Sequence, residues 1–185
     1  MICREADIPL LLPAITSYLG MVYAMADRMS EALVLQEQEE ASQHAEKAMM
    51  QVFLGEIYLL SNRLEDARDC ANQALMFARA HDERGYQAWG LRLYGAVLHR
   101  NALEIDQAEI HYKQSLTLAT ELGMRPLQAH CHRGLGALYR QTDQFDKARV
   151  ELSTAIEMYR DMEMTFWLPE TEAALAEMGR RDGIL

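Results

Sequence analysis

The sequence predicts an all-α fold, a right-handed superhelical solenoid of about four helix hairpins with a C-terminal capping helix. A glycine that follows a large residue recurs four times along the 185 residues, at Gly20, Gly55, Gly95 and Gly136. An alanine comes 12 or 13 residues after each glycine, at Ala32, Ala67, Ala108 and Ala148. Self-similarity at a period of this length indicates a helical solenoid. Small residues at these places allow the two helices of one hairpin to approach closely.

The predicted helices follow from this period and from the residues that break helices. We expect helix pairs at about 9–26 and 30–42, 44–60 and 63–81, 86–100 and 106–122, and 126–141 and 144–161. The hairpins therefore span about 9–42, 44–81, 86–122 and 126–161, with a capping helix at about 165–178 and one domain over residues 1–185. Ser30, Asp106 and Asp143 are expected to cap the helices that follow them. Gly85 and Gly123 are expected at helix ends, where a left-handed residue is favoured.

Composition and charge restrict the class of partner. The net charge is 18 − 28 = −10, which repels phosphate backbones, so we expect no nucleic-acid partner. The three cysteines have no paired spacing, which disfavours a disulfide framework or a zinc site and suits a reducing compartment. The apolar run at residues 10–12 is too short to span a bilayer, and the first residues lack the charge order of a signal peptide. A cytoplasmic protein with no membrane partner is expected.

The repeated residues resemble the tetratricopeptide repeat, a helix hairpin of about 34 residues with Leu-Gly, Tyr and Ala at the same places. In three of the four units a tyrosine follows the glycine by three positions, at Tyr23, Tyr58 and Tyr139. The stretch Leu122–Leu168 is similar to the C-terminal repeat tails of adenylate/guanylate-cyclase-like proteins that carry an AAA-type ATPase, and maltose-regulator-like activators have related tails. No cyclase or ATPase motif residues are present, so the resemblance implies a solenoid without that chemistry.

Two places depart from a regular repeat. The third unit has an extra residue within Asn101–Ile105, which costs little because loops tolerate added length. The junction of the first two hairpins needs a turn near Ala41–His44, where the sequence is a weak helix breaker.

Motifs for catalysis or metal binding are weak in this chain. Gly134-Leu135-Gly136 begins like a dinucleotide-binding fingerprint, but no strand precedes it and the third glycine is missing. His130, Cys131 and His132 are consecutive, and adjacent helical residues point about 100° apart, so the three cannot face one ion. His132 is expected on the core face. We therefore expect a non-enzymatic protein with no cofactor and no metal.

The resemblance implies a concave groove lined by the first helix of each hairpin. In this family the lining positions lie at −6, −3, +1, +4 and +5 from the glycine, and such offsets share one helix face. The first two units supply mainly apolar residues there, and the last two supply basic and aromatic ones. The partner-binding residues expected from this register are Met21, Met25, Met49, Val52, Glu56, Trp89, Arg92, His99, Arg100, His130, Arg133 and Arg140.

The basic half of this groove allows two interpretations. Guanidinium groups can take a carboxylate in a bidentate manner and Trp89 offers an aromatic platform, so Arg92 and Arg133 are predicted to bind an acidic segment of a protein or peptide. Alternatively, the arginines pair with Glu or Asp of a neighbouring hairpin.

Three functional classes remain open on this basis. A protein- or peptide-binding scaffold or regulatory module is favoured. The competing class is a sensor domain that binds a small anionic ligand or signalling peptide within a signalling ATPase, cyclase or transcription-regulator system. An enzyme is the weakest of the three, because no nucleophile stands at a suitable spacing from a base.

The two ends of the predicted solenoid differ in polarity. The N-terminal end is apolar, with Ile8, Leu10, Leu11, Leu12 and Ile15 and no preceding helix to cover them. Exposed apolar patches mark interfaces, so we expect a homodimer through the N-terminal hairpin, with exchange of that hairpin between chains as a variant. Coverage of the patch by upstream residues is the alternative. The capping helix is more polar, through Glu170, Glu172, Glu177 and Arg180.

Overall fold

The computed structural model describes residues 12–39 and 47–182, and these stretches contain nine α-helices and no strand. The helices are α1 (Leu12–Met25), α2 (Met29–Glu39), α3 (Lys47–Leu60), α4 (Leu64–Ala80), α5 (Arg84–His99), α6 (Ile105–Glu121), α7 (Arg125–Gln141), α8 (Phe145–Asp161) and α9 (Leu168–Asp182). The predicted all-α fold is confirmed, and the helix ends that fall inside the described stretches lie within three residues of their expected positions. The turn expected near Ala41–His44 lies outside the described residues.

The chain forms two compact units, Met1–Val97 and Leu98–Leu185. In the first unit α1 pairs with α2 and α3 pairs with α4, and α1 also packs against α3. In the second unit α7 and α8 form a hairpin, with α6 packed on α7 and α9 packed on α8. Helical hairpins that pack on their neighbours are the arrangement expected of a solenoid. The single domain over 1–185 and the right-handed superhelix stay predictions.

Six of the turns between helices share one backbone conformation. Each contains a residue with a left-handed φ between 53° and 67°, namely Asp27, Asn62, Asp82, Gly123, Asp143 and Glu163. The following residue donates its backbone N–H to the carbonyl five positions earlier at 2.8–2.9 Å, as Arg63 does to Tyr58. This bond satisfies a carbonyl at the helix end that has no partner inside the helix. Gly123 occupies the place predicted for it.

This turn chemistry corrects four of the predicted boundary residues. Ser30 is the second residue of α2 and Asp106 is the second residue of α6, so neither stands before its helix. Asp143 is the left-handed residue of its turn rather than a cap. Gly85 lies inside α5, and Asp82 supplies the left-handed conformation at that turn.

The repeated small residues lie where two helices approach closely. The four alanines of the pattern are fully buried, at Ala32, Ala67, Ala108 and Ala148. A Cβ on Gly136 of α7 would lie 2.7 Å from Cγ of Leu152 in α8, and one on Gly55 of α3 would lie 3.0 Å from Cβ of Cys70 in α4. Carbon atoms in contact are usually about 3.5–4.0 Å apart, so a side chain does not fit at either glycine. The crowding inferred from the sequence is confirmed for these two hairpins.

Two of the three tyrosines of the pattern, Tyr23 and Tyr58, support the turns that follow them. The guanidinium of Arg28 lies 4.1 Å from the ring centre of Tyr23, and that of Arg63 lies 4.2 Å from the ring centre of Tyr58. A cation over an aromatic face is attracted to it. Each of these arginines is also the residue whose backbone N–H closes the turn, so the tyrosine stabilises the turn from its side chain as well as from its carbonyl.

The extra residue of the third hairpin is taken up by a 3-10 turn at Ala102–Glu104. The side chain of Asn101 accepts a hydrogen bond from the N–H of Leu103 at 3.1 Å and donates to the carboxylate of Glu104 at 2.8 Å. The insertion predicted within Asn101–Ile105 is therefore an ordered turn with its own side-chain cap.

Candidate functional site

The apolar residues predicted for the groove lie partly in the interior of the first unit. Met49 and Val52 of α3 are buried, and the hydroxyl of Tyr86 donates to the sulfur of Met49 at 3.5 Å. Met21 and Met25 of α1 are half-buried. The two α3 residues thus present little surface to a partner, because neighbouring side chains already cover them.

Arg92 of α5 forms a salt bridge with Glu56 of α3. The two side chains are only 15% and 12% exposed, and the Arg92 guanidinium lies 5.7 Å from the ring centre of Trp89. Both α3 and α5 are first helices of their hairpins, so the pair joins successive hairpins. Arg92 therefore pairs with a neighbouring hairpin, which was the second of the two interpretations of the basic half of the groove.

Arg133 and Arg140 of α7 pair with carboxylates of the closing helix α9. The distance is 2.5 Å from Arg133 to Glu170 and 3.0 Å from Arg140 to Glu177. The two arginines are seven residues apart, as are the two glutamates, so two turns of α7 face two turns of α9. The arginine side chains are 28% and 38% exposed, and the glutamates are 73% and 61% exposed.

Exposure separates the arginines into two kinds. An exposed ion pair contributes about 0–1 kcal/mol, because water competes for both charges. Breaking a buried pair costs about 3–5 kcal/mol, because one charge is left without a partner in the interior. Arg133 and Arg140 can therefore exchange one carboxylate for another at small cost, whereas Arg92 is held by the fold.

Aromatic side chains surround the arginine nearer to the start of α9. The Arg133 guanidinium lies 5.1 Å from the ring centre of Trp167, and the His130 ring stands edge-on to Trp167 with centroids 5.1 Å apart. Nδ1 of His130 lies 2.8 Å from the hydroxyl of Tyr159. Phe166, largely exposed, packs edge-on to Trp167 at 4.8 Å. The site therefore combines positive charge with an apolar platform.

The other two basic candidates lie at the end of α5. Arg100 is exposed, and His99 is half-buried with its ring edge-on to Tyr112 at 6.3 Å. Burial lowers the pKa of His99 below its ordinary value, the neighbouring charge of Arg100 lowers it further, and a hydrogen bond with Gln141 opposes the shift. His99 is therefore favoured in its neutral form.

Trp167, Phe166 and the roles of two glutamates were not predicted from the sequence. Glu170 and Glu177 were expected on the polar side of a capping helix, whereas both reach back to α7. The matching seven-residue spacing of these glutamates and of the two α7 arginines is the signal in the sequence that could have found the pairing.

The histidine and cysteine side chains next to this site have partners other than a metal ion. Nδ1 of His132 lies 2.6 Å from Glu151, and the His132 side chain is 20% exposed. The buried thiol of Cys131 donates to the hydroxyl of Ser115 at 3.2 Å. Within residues 12–39 and 47–182 no three His, Cys, Asp or Glu residues come together as metal ligands. Over the same part of the chain, no helix has both the length and the apolar character needed to cross a bilayer.

A match to a known protein family includes the α7 residues of this site. The family model described as the tetratricopeptide repeat matches residues 86–161, which covers most of α5 and all of α6, α7 and α8. The match covers 76 of the 185 residues, so the stretch from within α5 to the end of α8 is similar to tetratricopeptide repeats. The expected resemblance to this family is confirmed, and the finer resemblance of the repeats to cyclase-type tails stays a prediction.

Two solved structures with this fold align with nearly all of this chain. The apo form of RapI has a TM-score of 0.70 at 20% identity, over 92% of this chain and 64% of that chain. BtubC (BKLC) from P. vanneervenii has a TM-score of 0.65 at 15% identity, over 97% of this chain and 82% of that one. Identities this low show the fold alone.

A curated relative matches about half of this chain. The 43 kDa receptor-associated protein of the synapse from Tetronarce californica is 31% identical over 101 residues. The match covers 55% of this chain and 24% of the relative, so it spans about a quarter of that protein.

Proposed function

We propose that the chain is a non-enzymatic, cytoplasmic protein-binding scaffold that takes an acidic segment of a partner protein on α7. The observation that carries the proposal is the pair Arg133 and Arg140, two turns apart and each already in contact with an exposed carboxylate. The tetratricopeptide repeats and the relative named as receptor-associated support a role in protein association. The remaining residues of the predicted groove are secondary, because Met49 and Val52 are buried and Arg92 is paired internally.

Recognition would be an exchange of carboxylates. The partner's acidic side chains replace those of Glu170 and Glu177, which swing into water while α9 stays packed through its buried Thr171 and Met178. The two pairs given up contribute about 0–1 kcal/mol each because water reaches them, whereas a docked partner excludes water from the new pairs and makes each of them stronger. Phe166 and Trp167 beside Arg133 supply the apolar surface that excludes this water and adds to the affinity. The expected partner carries acidic residues flanking an apolar or aromatic one.

Isothermal titration calorimetry on the full chain tests this proposal. The probe is a helical peptide with two glutamates seven residues apart and one tryptophan, and the control peptide has glutamine for glutamate. Arg133→Ala with Arg140→Ala should weaken binding about thirtyfold, the lower end for contacts of this type. Arg149→Ala with Arg160→Ala, which makes the same charge change on α8, is the matched control. Equal losses for the two double variants, or equal binding of the two peptides, would overturn the proposal.

A sensor for a small anionic ligand is the second candidate. The same arginine over a tryptophan ring also fits a dicarboxylate or a phosphate, because both present the oxygens that a guanidinium recognises. Succinate and inorganic phosphate titrated into the full chain distinguish the two functions. Tight binding of either that displaces the acidic peptide would favour the sensor.

A further inference from the structure

In the second, third and fourth hairpins, the first helix (α3, α5 or α7) packs on the preceding hairpin through four equivalent positions. Counted from the repeat glycine these positions are −5, −2, −1 and +2. In α3 the −2 residue Phe53 packs on Tyr18 with ring centroids 4.8 Å apart, and the +2 residue Ile57 packs in a cluster with Ala24 and Ala32 of the first hairpin. These positions of α3 are covered by the hairpin that precedes it.

The same positions are covered in α5 and α7. In α5 a Cβ on Gly90 would lie 3.1 Å from Leu75 of α4, and Leu93 and Val97 belong to a buried cluster with residues of α3 and α4. In α7 Cys131 bonds Ser115 of α6, and a Cβ on Gly134 would lie 2.5 Å from the ring of Tyr112, also in α6. At least two of the four positions thus contact the preceding hairpin in each of α3, α5 and α7.

In α1 these four positions are apolar and exposed. They are Ile15, Tyr18, Leu19 and Val22, which are 46%, 55%, 39% and 57% exposed. Their spacing of three, four and seven residues puts them on one side of the helix. We call these four residues the α1 stripe. By register it is a hairpin-stacking surface, so the occupant that fits it is an apolar helix face rather than an extended peptide.

The absence of charged residues on α1 indicates which partner binds the α1 stripe. Residues 12–25 of α1 include no Asp, Glu, Lys, Arg or His, and each of the other eight helices contains at least one of them. The chain carries a net charge of −10, so most surfaces of two copies repel each other, whereas two α1 stripes bring no charge together. A charged partner gains nothing from this face.

We infer that the α1 stripe is a self-association surface, on which two copies of the chain pack α1 against α1 about a two-fold axis. A two-fold contact uses the same patch on both copies and closes as a dimer. An interface centred on one helix is small beside the roughly 800 Å² per partner of a standard interface, so the dissociation constant is expected to be micromolar. The inference is independent of the proposed function, because α1 contributes none of the residues of the α7 site.

Sedimentation velocity of the full chain between about 1 and 100 µM tests the inference. A reversible monomer–dimer equilibrium is expected. Leu19→Glu with Val22→Glu should raise the dissociation constant more than a hundredfold, because it places four like charges in the contact. The matched control, Met76→Glu with Val150→Glu, adds the same charges at comparably exposed apolar residues of α4 and α8 and should leave the dimer intact. Circular dichroism of every variant verifies that the helices remain.

Three outcomes would overturn the inference. A monomer over the whole concentration range means that the α1 stripe is not a self-association surface. A dimer that survives the Leu19 and Val22 substitutions uses another face. An open-ended series of oligomers indicates head-to-tail stacking instead of a closed two-fold contact.

Discussion

The buried pair between Arg92 and Glu56 leads to a prediction about stability rather than binding. Arg92→Met removes one partner and leaves the Glu56 carboxylate 12% exposed without its counter-charge. Breaking a buried pair in this way costs about 3–5 kcal/mol. For a domain of this size about 1 kcal/mol corresponds to about 2–4 °C, so the melting temperature should fall by about 6–20 °C.

The exposed pair between Arg133 and Glu170 provides the comparison. Arg133→Met removes an equivalent arginine of the repeat, but the glutamate it leaves is 73% exposed and stays hydrated. The expected loss is about 0–1 kcal/mol, or at most about 4 °C. Thermal and urea unfolding followed by circular dichroism measure both variants under the same conditions.

A double variant tests the cause of the difference. Replacing both members of a buried pair by apolar residues removes the uncompensated charge, so Arg92→Met with Glu56→Met should recover most of the stability lost in Arg92→Met. The reasoning is refuted if the Arg92 and Arg133 variants melt alike, or if the double variant melts no higher than Arg92→Met.

Two further predictions concern the core and the pH dependence. Gly136→Leu should cost about 1–3 kcal/mol or more by overpacking against Leu152. Gly20→Leu should cost less because, among the described residues, its hairpin packs on one neighbouring hairpin, and equal losses in thermal melts would contradict the repeat register. Because the folded pKa of His99 lies below the ordinary 6.5, the unfolded chain takes up the proton first, and stability should fall as pH drops below about 6.5. His99→Gln should flatten the dependence of unfolding free energy on pH, measured by urea titrations at several pH values. An unchanged pH dependence in this variant would contradict the assignment of the effect to His99. His81→Gln, at an exposed residue, is the control.

The sequence by itself determined the helices and the places where they approach each other. Helix position depends on local periodicity, and close approach requires small residues such as Gly55 and Gly136, so both can be read from a repeat. The turns were less predictable from residue type. Asp143 and Asp82 take left-handed conformations because the backbone N–H of the next residue donates to a carbonyl of the helix that ends there. Side-chain caps, which residue type indicates, do not predict this backbone bond.

Only the tertiary structure decided which arginines are available to a partner. Arg92 and Arg133 stand three positions before their repeat glycines, so the sequence treats them as equivalent. Arg92 pairs with the preceding first helix in a covered place, whereas Arg133 pairs with the following helix α9 at the surface. The value of an ion pair depends on how much water its neighbours exclude, and that exclusion comes from residues far away in the chain. For this physical reason the repeat predicted the positions of the charges, while their accessibility depended on the packing of the hairpins.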